Sequence, residues 1–180
     1  MFRLAAGFLL SVLCLGTALP ADDFKPEPGF TPLFTGDNLD GWKLKGEALD
    51  GKTEAANKRF AVKDSALVVD PKVKGDLKLE TAKEFDGDVH LKFDFKPGAG
   101  CNNDVFFRGT KFDLKKADLK AMKEGEWNAF EVVVVGDTAE FLCNGESVKK
   151  TKAKAGKSPL GIRAEFGPVE IRRIRVKEGK

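Results

Sequence analysis

The sequence predicts an all-β protein built as an antiparallel two-sheet sandwich, and three observations carry that prediction. No stretch keeps an apolar repeat of helical period. The one candidate, Lys115 to Lys123, is short and poorly amphipathic and reads as a loop with one helical turn. Short apolar runs recur instead between Gly, Pro, Asn and Asp turns. The segment Phe130 to Val148 joins a tight turn to an apolar pattern, and each supports the register of the other.

The N-terminus reads as an export signal. Arg3 is followed by an apolar run from Leu4 to Leu19, small residues up to Ala21, and the polar pair Asp22-Asp23, which is the order of a secretory signal peptide. The run falls short of the roughly 20 apolar residues of a spanning helix. Leu13, just before Cys14, is too large for the small-residue position that lipidation requires. The expectation is a signal peptide over residues 1–21, a single domain over residues 22–180, and a periplasmic or extracellular protein free of the membrane once the leader is removed.

Within that domain, Pro26 to Pro32 and Gly46 to Asn57 are turn-rich or polar connections. Short strands follow at Phe60 to Val62, Ala66 to Val69 and Leu77 to Thr81. Val89 to Lys96 alternates, with Val89, Leu91, Phe93 and Phe95 on one face and His90, Lys92, Asp94 and Lys96 on the other. Val105 to Arg108 is a further strand. In Phe130 to Val148, Gly136-Asp137 suits a type II′ turn. Pairing across it sets Val134 against Ala139, Val132 against Phe141 and Phe130 against Cys143, all on one side. Asn144-Gly145 makes a second tight turn, of type I′, into Glu146 to Val148. Leu160 to Arg163 is a short strand. Val169 to Val176 changes phase, and a β-bulge at Arg172-Arg173 keeps Val169, Ile171, Ile174 and Val176 on one face. So many strands exceed one flat sheet, and two packed sheets follow.

Several chemistries are excluded. The net charge of +3 comes from mixed charges, not a basic block, so nucleic acid is not an expected partner. One histidine, His90, lies on a polar strand face, and without a His pair or Cys cluster no transition-metal site or cofactor is expected. No nucleophile elbow or phosphate-cradling Gly loop appears. Retaining glucanases place two carboxylates around the scissile bond. Here the comparable strand positions are Lys92, Asp94 and Lys96, with one carboxylate, which excludes that mechanism.

Sugar-compatible groups remain. Asn102, Asn103 and Asp104 form a polar run before a strand, and Arg108 offers a forked donor. Asp113, Arg163 and Glu165 stand near strand ends. Trp42 and Trp127 present flat faces that serve either stacking or core packing. Cys101 and Cys143 make either a disulfide or two buried free thiols.

Four segments in order resemble one family. They are Gly29-Phe30-Thr31-Pro32-Leu33-Phe34-Thr35-Gly36 with Leu39-Asp40-Gly41-Trp42; Phe106-Phe107-Arg108-Gly109; Gly125-Glu126-Trp127-Asn128 with the strand pair closed by Asn144-Gly145; and Leu160-Gly161-Ile162 with Gly167 to Val176. This pattern is similar to the 3-keto-disaccharide hydrolase domains. The resemblance implies a concanavalin-like jelly roll and a carbohydrate or keto-sugar ligand. It also implies a chemistry in which a C3 keto group acidifies the C2 proton, a base removes it, the glycosidic oxygen leaves and water adds. Where the family has Tyr-Glu-x-Gln, this chain has Phe112-Asp113-Leu114-Lys115. Where it has Gln-x-His, this chain has Arg163-Ala164-Glu165. The resemblance therefore implies Asp113 and Glu165 as bases, with Arg108 or Arg163 stabilising negative charge and Asn102, Asn103 and Asp104 beside them. The expectation is that Arg108, Asp113, Arg163 and Glu165 share one outer-face depression. The same fold also serves non-catalytic carbohydrate-binding or interaction modules.

Overall fold

The computed structural model describes residues 24–70, 72 and 76–179; the signal peptide expected over residues 1–21 lies outside them. Among the described residues there are strands and turns and no helix. The strands are β1 (Thr31–Pro32), β2 (Trp42–Leu44), β3 (Glu47–Ala48), β4 (Glu54–Ala55), β5 (Phe60–Lys63), β6 (Ala66–Val69), β7 (Leu77–Phe85) and β8 (Val89–Pro97). They continue with β9 (Asn102–Phe107), β10 (Thr110–Leu114), β11 (Asn128–Val135), β12 (Thr138–Cys143), β13 (Glu146–Lys152), β14 (Ser158–Phe166) and β15 (Val169–Glu178). The larger sheet has nine strands in the order β13-β12-β11-β8-β15-β6-β5-β4, with β1 added beside β15. The smaller has six, in the order β10-β9-β14-β7-β2-β3. All the pairings are antiparallel.

Local turn chemistry sets the β11-β12-β13 meander. Gly136 has φ of 58° and Asp137 stays negative, as type II′ demands, whereas Asn144 (50°) and Gly145 (82°) are both positive, as in type I′. The ladder pairs Phe130 with Cys143, Val132 with Phe141 and Val134 with Ala139, and all six side chains are buried. Inward residues of β8 pack on this ribbon. Phe93 lies 5.1 Å from Phe130, and Phe112 of the smaller sheet lies 5.3 Å from Phe130 and 5.0 Å from Phe141. That aromatic column joins the sheets, each ring contributing about 1.5–3 kcal/mol through burial. In β15 the register with β8 shifts between Arg172 and Arg175, Arg173 takes φ of 54°, and Val169, Ile171, Ile174 and Val176 are all buried.

Other elements differ from the sequence reading. The two connections contain the two-residue strands β1, β3 and β4. β7 runs on to Phe85. β10 is a full strand, because Arg108 (φ 49°) and Gly109 (φ 67°) form a two-residue hairpin turn that ends β9 at Phe107. The loop after β10 holds one helical turn, with the Leu119 N–H donating to Lys115 O at 3.1 Å. Trp42 is core, its Nε1–H donating to Leu33 O at 2.8 Å. Trp127 is half-buried on the other sheet, with the Arg172 guanidinium 3.8 Å above its ring.

The bond between Cys101 and Cys143 is not made; both are buried free thiols. Each is held by its own surroundings. Cys101 Sγ lies 3.3 Å from Leu114 O and 3.4 Å from Asn103 Nδ2 in the smaller sheet, while Cys143 faces the core beside Phe130 in the larger. Burial raises the thiol pKa of both, Cys143 to about 11, so neither supplies a thiolate for exchange at neutral pH.

Candidate functional site

Alternation in the smaller sheet separates a core face from an outer face rich in charge. Val105, Phe107, Phe112, Leu114, Leu160, Ile162 and Ala164 point inward. Their neighbours Asn102, Asp104, Phe106, Lys111, Asp113, Arg163 and Glu165 point outward. Strand register then builds rows. Asp113 of β10 pairs with Asp104 of β9, which pairs with Arg163 of β14, which pairs with Lys78 of β7. One step along, Lys111 pairs with Phe106, Phe106 with Gly161, and Gly161 with Glu80.

The first row is an ionic chain. Arg163 Nε lies 2.6 Å from Asp104 Oδ2, and its Nη2 lies 2.6 Å from Glu165 Oε2. Lys111 Nζ is 2.8 Å from Asp113 and 3.4 Å from Asp104; Lys115 Nζ is 3.3 Å from Asp113. Asp104 is fully buried, and no donor is aligned in a hydrogen bond on either of its oxygens. Burial, and next the carboxyl of Asp113, which shares a proton only with a protonated partner, push Asp104 up to about 6 against the pull of Arg163. Asp113 goes the other way. Burial alone would raise it, but hydrogen bonds from Lys111, Asp104 and Lys115 outweigh that and hold it at about 2. Adjacent carboxyls with ionisation driven apart are the arrangement that separates acid from base roles. Beside them Phe106 is a half-buried ring, with Lys78 Nζ 5.2 Å and the Arg163 guanidinium 6.0 Å from its centre. Gly161 keeps this part of the sheet flat, since a Cβ there would come within 3.0 Å of Lys78 Cδ.

Glu165 is aimed by a break in the ladder. The β14–β9 register shifts between Arg163 and Phe166, which frees the backbone of Glu165 from regular pairing. Asn103, fully buried, replaces the missing partner: its Oδ1 accepts the Glu165 N–H at 2.9 Å, and its Nδ2 donates to Phe166 O at 3.0 Å and Gly167 O at 3.1 Å. Arg59, also buried, donates from Nη2 to Glu165 O at 3.0 Å and from Nη1 to Asp70 O at 2.6 Å. The sequence reading missed Arg59. A long-range contact from a turn beside a short strand leaves no local signature.

The structure thus brings together Asp113, Arg163, Glu165 and Asp104, with Asn102 on the same face. Two residues expected there lie elsewhere. Asn103 points inward, because the alternation of β9 continues through the three polar residues and the bulge needs its amide. Arg108 belongs to the β9–β10 turn, at the far end of β9. It is buried there, and its Nη1 donates to the Gly156 carbonyl and approaches Asp86 Oδ1 at 3.4 Å. Among the described residues no group of three or more His, Cys, Asp or Glu side chains is placed to hold a metal ion.

Residues 29–122 match a family described as the 3-keto-alpha-glucoside-1,2-lyase-like domain. No curated protein matches the chain. Among solved structures, a glycosyl hydrolase candidate from Parabacteroides distasonis superposes with a TM-score of 0.64 at 19% identity, covering 84% of this chain and 95% of that one. The carbohydrate binding module CBM66 from Bacillus subtilis superposes at 0.55 with 9% identity, covering 81% and 99%. A Bacillus licheniformis beta-glucanase does so at 0.55 with 9% identity, covering 83% and 97%. At these identities the likenesses establish the jelly-roll fold.

Proposed function

Because this chain belongs to the 3-keto-alpha-glucoside-1,2-lyase-like domain family, we propose that the outer face of its smaller sheet takes a 3-keto-glycoside and promotes elimination across C1 and C2. The Glu165 carboxylate removes the C2 proton. The electron pair moves onto the C3 keto oxygen, where Arg163 faces the developing charge. The enolate then collapses, the C1=C2 bond forms, and the C1–O bond breaks. The proton shared by Asp104 and Asp113 passes through Asp113, the less buried of the two, to the leaving oxygen, with Lys111 paired to the Asp113 carboxylate. Addition of water across C1=C2 completes a net hydrolysis. The ring of Phe106 offers the sugar an apolar platform.

One observation carries this reading: the row Glu165, Arg163, Asp104, Asp113, linked at 2.6 Å on both sides of the guanidinium. It sets a carboxylate, a cation and a carboxyl that holds a proton close to neutrality side by side on adjacent strands. Incubation of the domain with a panel of 3-keto-disaccharides and analysis of products tests it. Glu165→Gln and Asp113→Asn are each expected to lower turnover at least about a hundredfold, the lower range for loss of a general acid or base.

A second reading, a non-catalytic carbohydrate-binding module, is favoured by the pairing of Asp113 and Glu165 with cations, which leaves Asp113 a weak base at about 2. A parent protein that binds sugar and never turns a keto-sugar over establishes that reading instead. We also propose that the leader over residues 1–21 exports the domain to the periplasm or medium; N-terminal sequencing of the mature chain tests this by its start near Asp22.

A further inference from the structure

A groove of about 480 Å³ opens beside the ionic row, lined by Lys111, Phe112, Asp113, Asp118, Val148 and Lys149. It lies where the edge strand of the smaller sheet, β10, comes next to the edge strand of the larger, β13. The Lys149 ammonium spans the gap and donates to Lys111 O at 3.2 Å. Its volume falls in the range of small-molecule sites. Its walls combine the two kinds of surface a pyranose needs. Val148, half-buried, offers the C–H face of a sugar ring an apolar contact with the core ring of Phe112 behind it, and Lys149, Asp118, Lys111 and Asp113 supply donors and acceptors for hydroxyls.

Position adds a second argument. Lys111 and Asp113 belong both to this groove and to the ionic row. The backbones of Asp113 and Arg163 are two strand spacings apart, about 10 Å at roughly 4.8 Å per spacing, and their side chains close that distance through Asp104 and Lys111. A sugar that stands over Arg163 and Glu165 with its C1 oxygen at Asp113 directs its C1 substituent into the groove.

We propose that this groove is a hexose subsite, and that it seats the sugar on the leaving side of the scissile bond; the second half of that statement rests on the elimination reading above. The class of ligand is a neutral hexopyranoside, recognised through hydroxyls and ring C–H groups and without need of a keto group.

Two measurements test it. Amide NMR of the domain titrated with methyl α-glucopyranoside, which has no keto group, is expected to shift Lys111, Asp118, Val148 and Lys149. Lys149→Ala, an exposed position, is expected to weaken that binding about tenfold, the loss for one charged hydrogen bond. Shifts clustered elsewhere, or none at millimolar sugar, overturn the groove as a sugar site whatever the turnover result. With 3-keto-substrates, Lys149→Ala is expected to raise KM at least fivefold more for a disaccharide than for the methyl 3-keto-glucoside, with kcat little changed. Equal effects on both substrates overturn the leaving-side placement. A parent that turns over neither substrate yet shows the groove shifts refutes the elimination reading and leaves the hexose subsite supported.

Discussion

Replacing Asp104 by Asn keeps the shape of a fully buried side chain and removes its ability to ionise. The carboxyl of Asp104 titrates at about 6 in the folded chain against an ordinary 3.8, so folding favours its protonated form. The stability this contributes is present below about pH 4 and is lost as pH rises through about 6. Asp113, held at about 2, has the opposite sign: its contribution is present above about pH 4 and is lost as pH falls through about 2. The two windows do not overlap, so between pH 4 and pH 8 the difference between variant and parent reports Asp104. The displacement from 3.8 to about 6 corresponds to roughly 3 kcal/mol at about 1.36 kcal/mol per pH unit. Asp104→Asn is therefore expected to match the parent near pH 4 and to gain roughly 3 kcal/mol on it by pH 8. Urea unfolding followed by fluorescence of the buried Trp42 reads this as a midpoint difference that grows in between about pH 4 and pH 6 and reaches roughly 1–2 M. A difference independent of pH would refute the inference that this carboxyl keeps its proton because it is buried beside a second carboxyl.

Asn103→Ala leaves the Glu165 N–H and the Phe166 and Gly167 carbonyls without their partner, and should cost about 3 kcal/mol in chemical denaturation. Asn103→Asp, which sets a buried carboxylate against those two carbonyls, should cost at least as much at neutral pH. Phe130→Ala removes the ring shared by both sheets and should cost about 3–5 kcal/mol, read as a lowered urea midpoint. Alkylation without reductant should leave Cys101 and Cys143 unmodified in the folded domain and label both in denaturant; a persistent disulfide in the isolated protein would contradict the free-thiol arrangement.

Legibility in the sequence followed the range of the signal. The β11–β12 pairing, the faces of β8 and the bulge of β15 were all readable, because a period of two residues and a tight turn are local facts. β10 was missed because its hairpin turn is Arg108-Gly109. An arginine at φ of 49° is not the Asn or Asp that marks such turns, and its buried contacts with Asp86 and Gly156 come from distant segments. Three polar residues in a row hide the alternation of β9, so the sequence alone turns Asn103 toward a ligand. In the sequence Asp113, Arg163 and Glu165 stand out one at a time near strand ends. Their neighbourhood depends on the order β10-β9-β14, which no window of sequence contains; the resemblance to a family supplied it.

The bulge of β15 has a consequence at the level of the gene. The extra residue falls within Arg173-Ile174, which together face Phe93 where the β8 partners step by two and those of β15 by three; Arg173 is identical to its neighbour Arg172, which pairs with Asp94. Loss of either arginine codon yields the same protein, and in it Ile171, Ile174 and Val176 alternate strictly with the two remaining arginines. Every apolar side chain keeps its side, the left-handed residue disappears, and Ile174 falls opposite Phe93. Loss of the neighbouring Glu170 codon instead sets Val169 directly against Ile171 and turns one of them out of the core. A slip of three bases at this repeat is thus one the sheet absorbs, making it a point where related chains can differ in length without differing in fold.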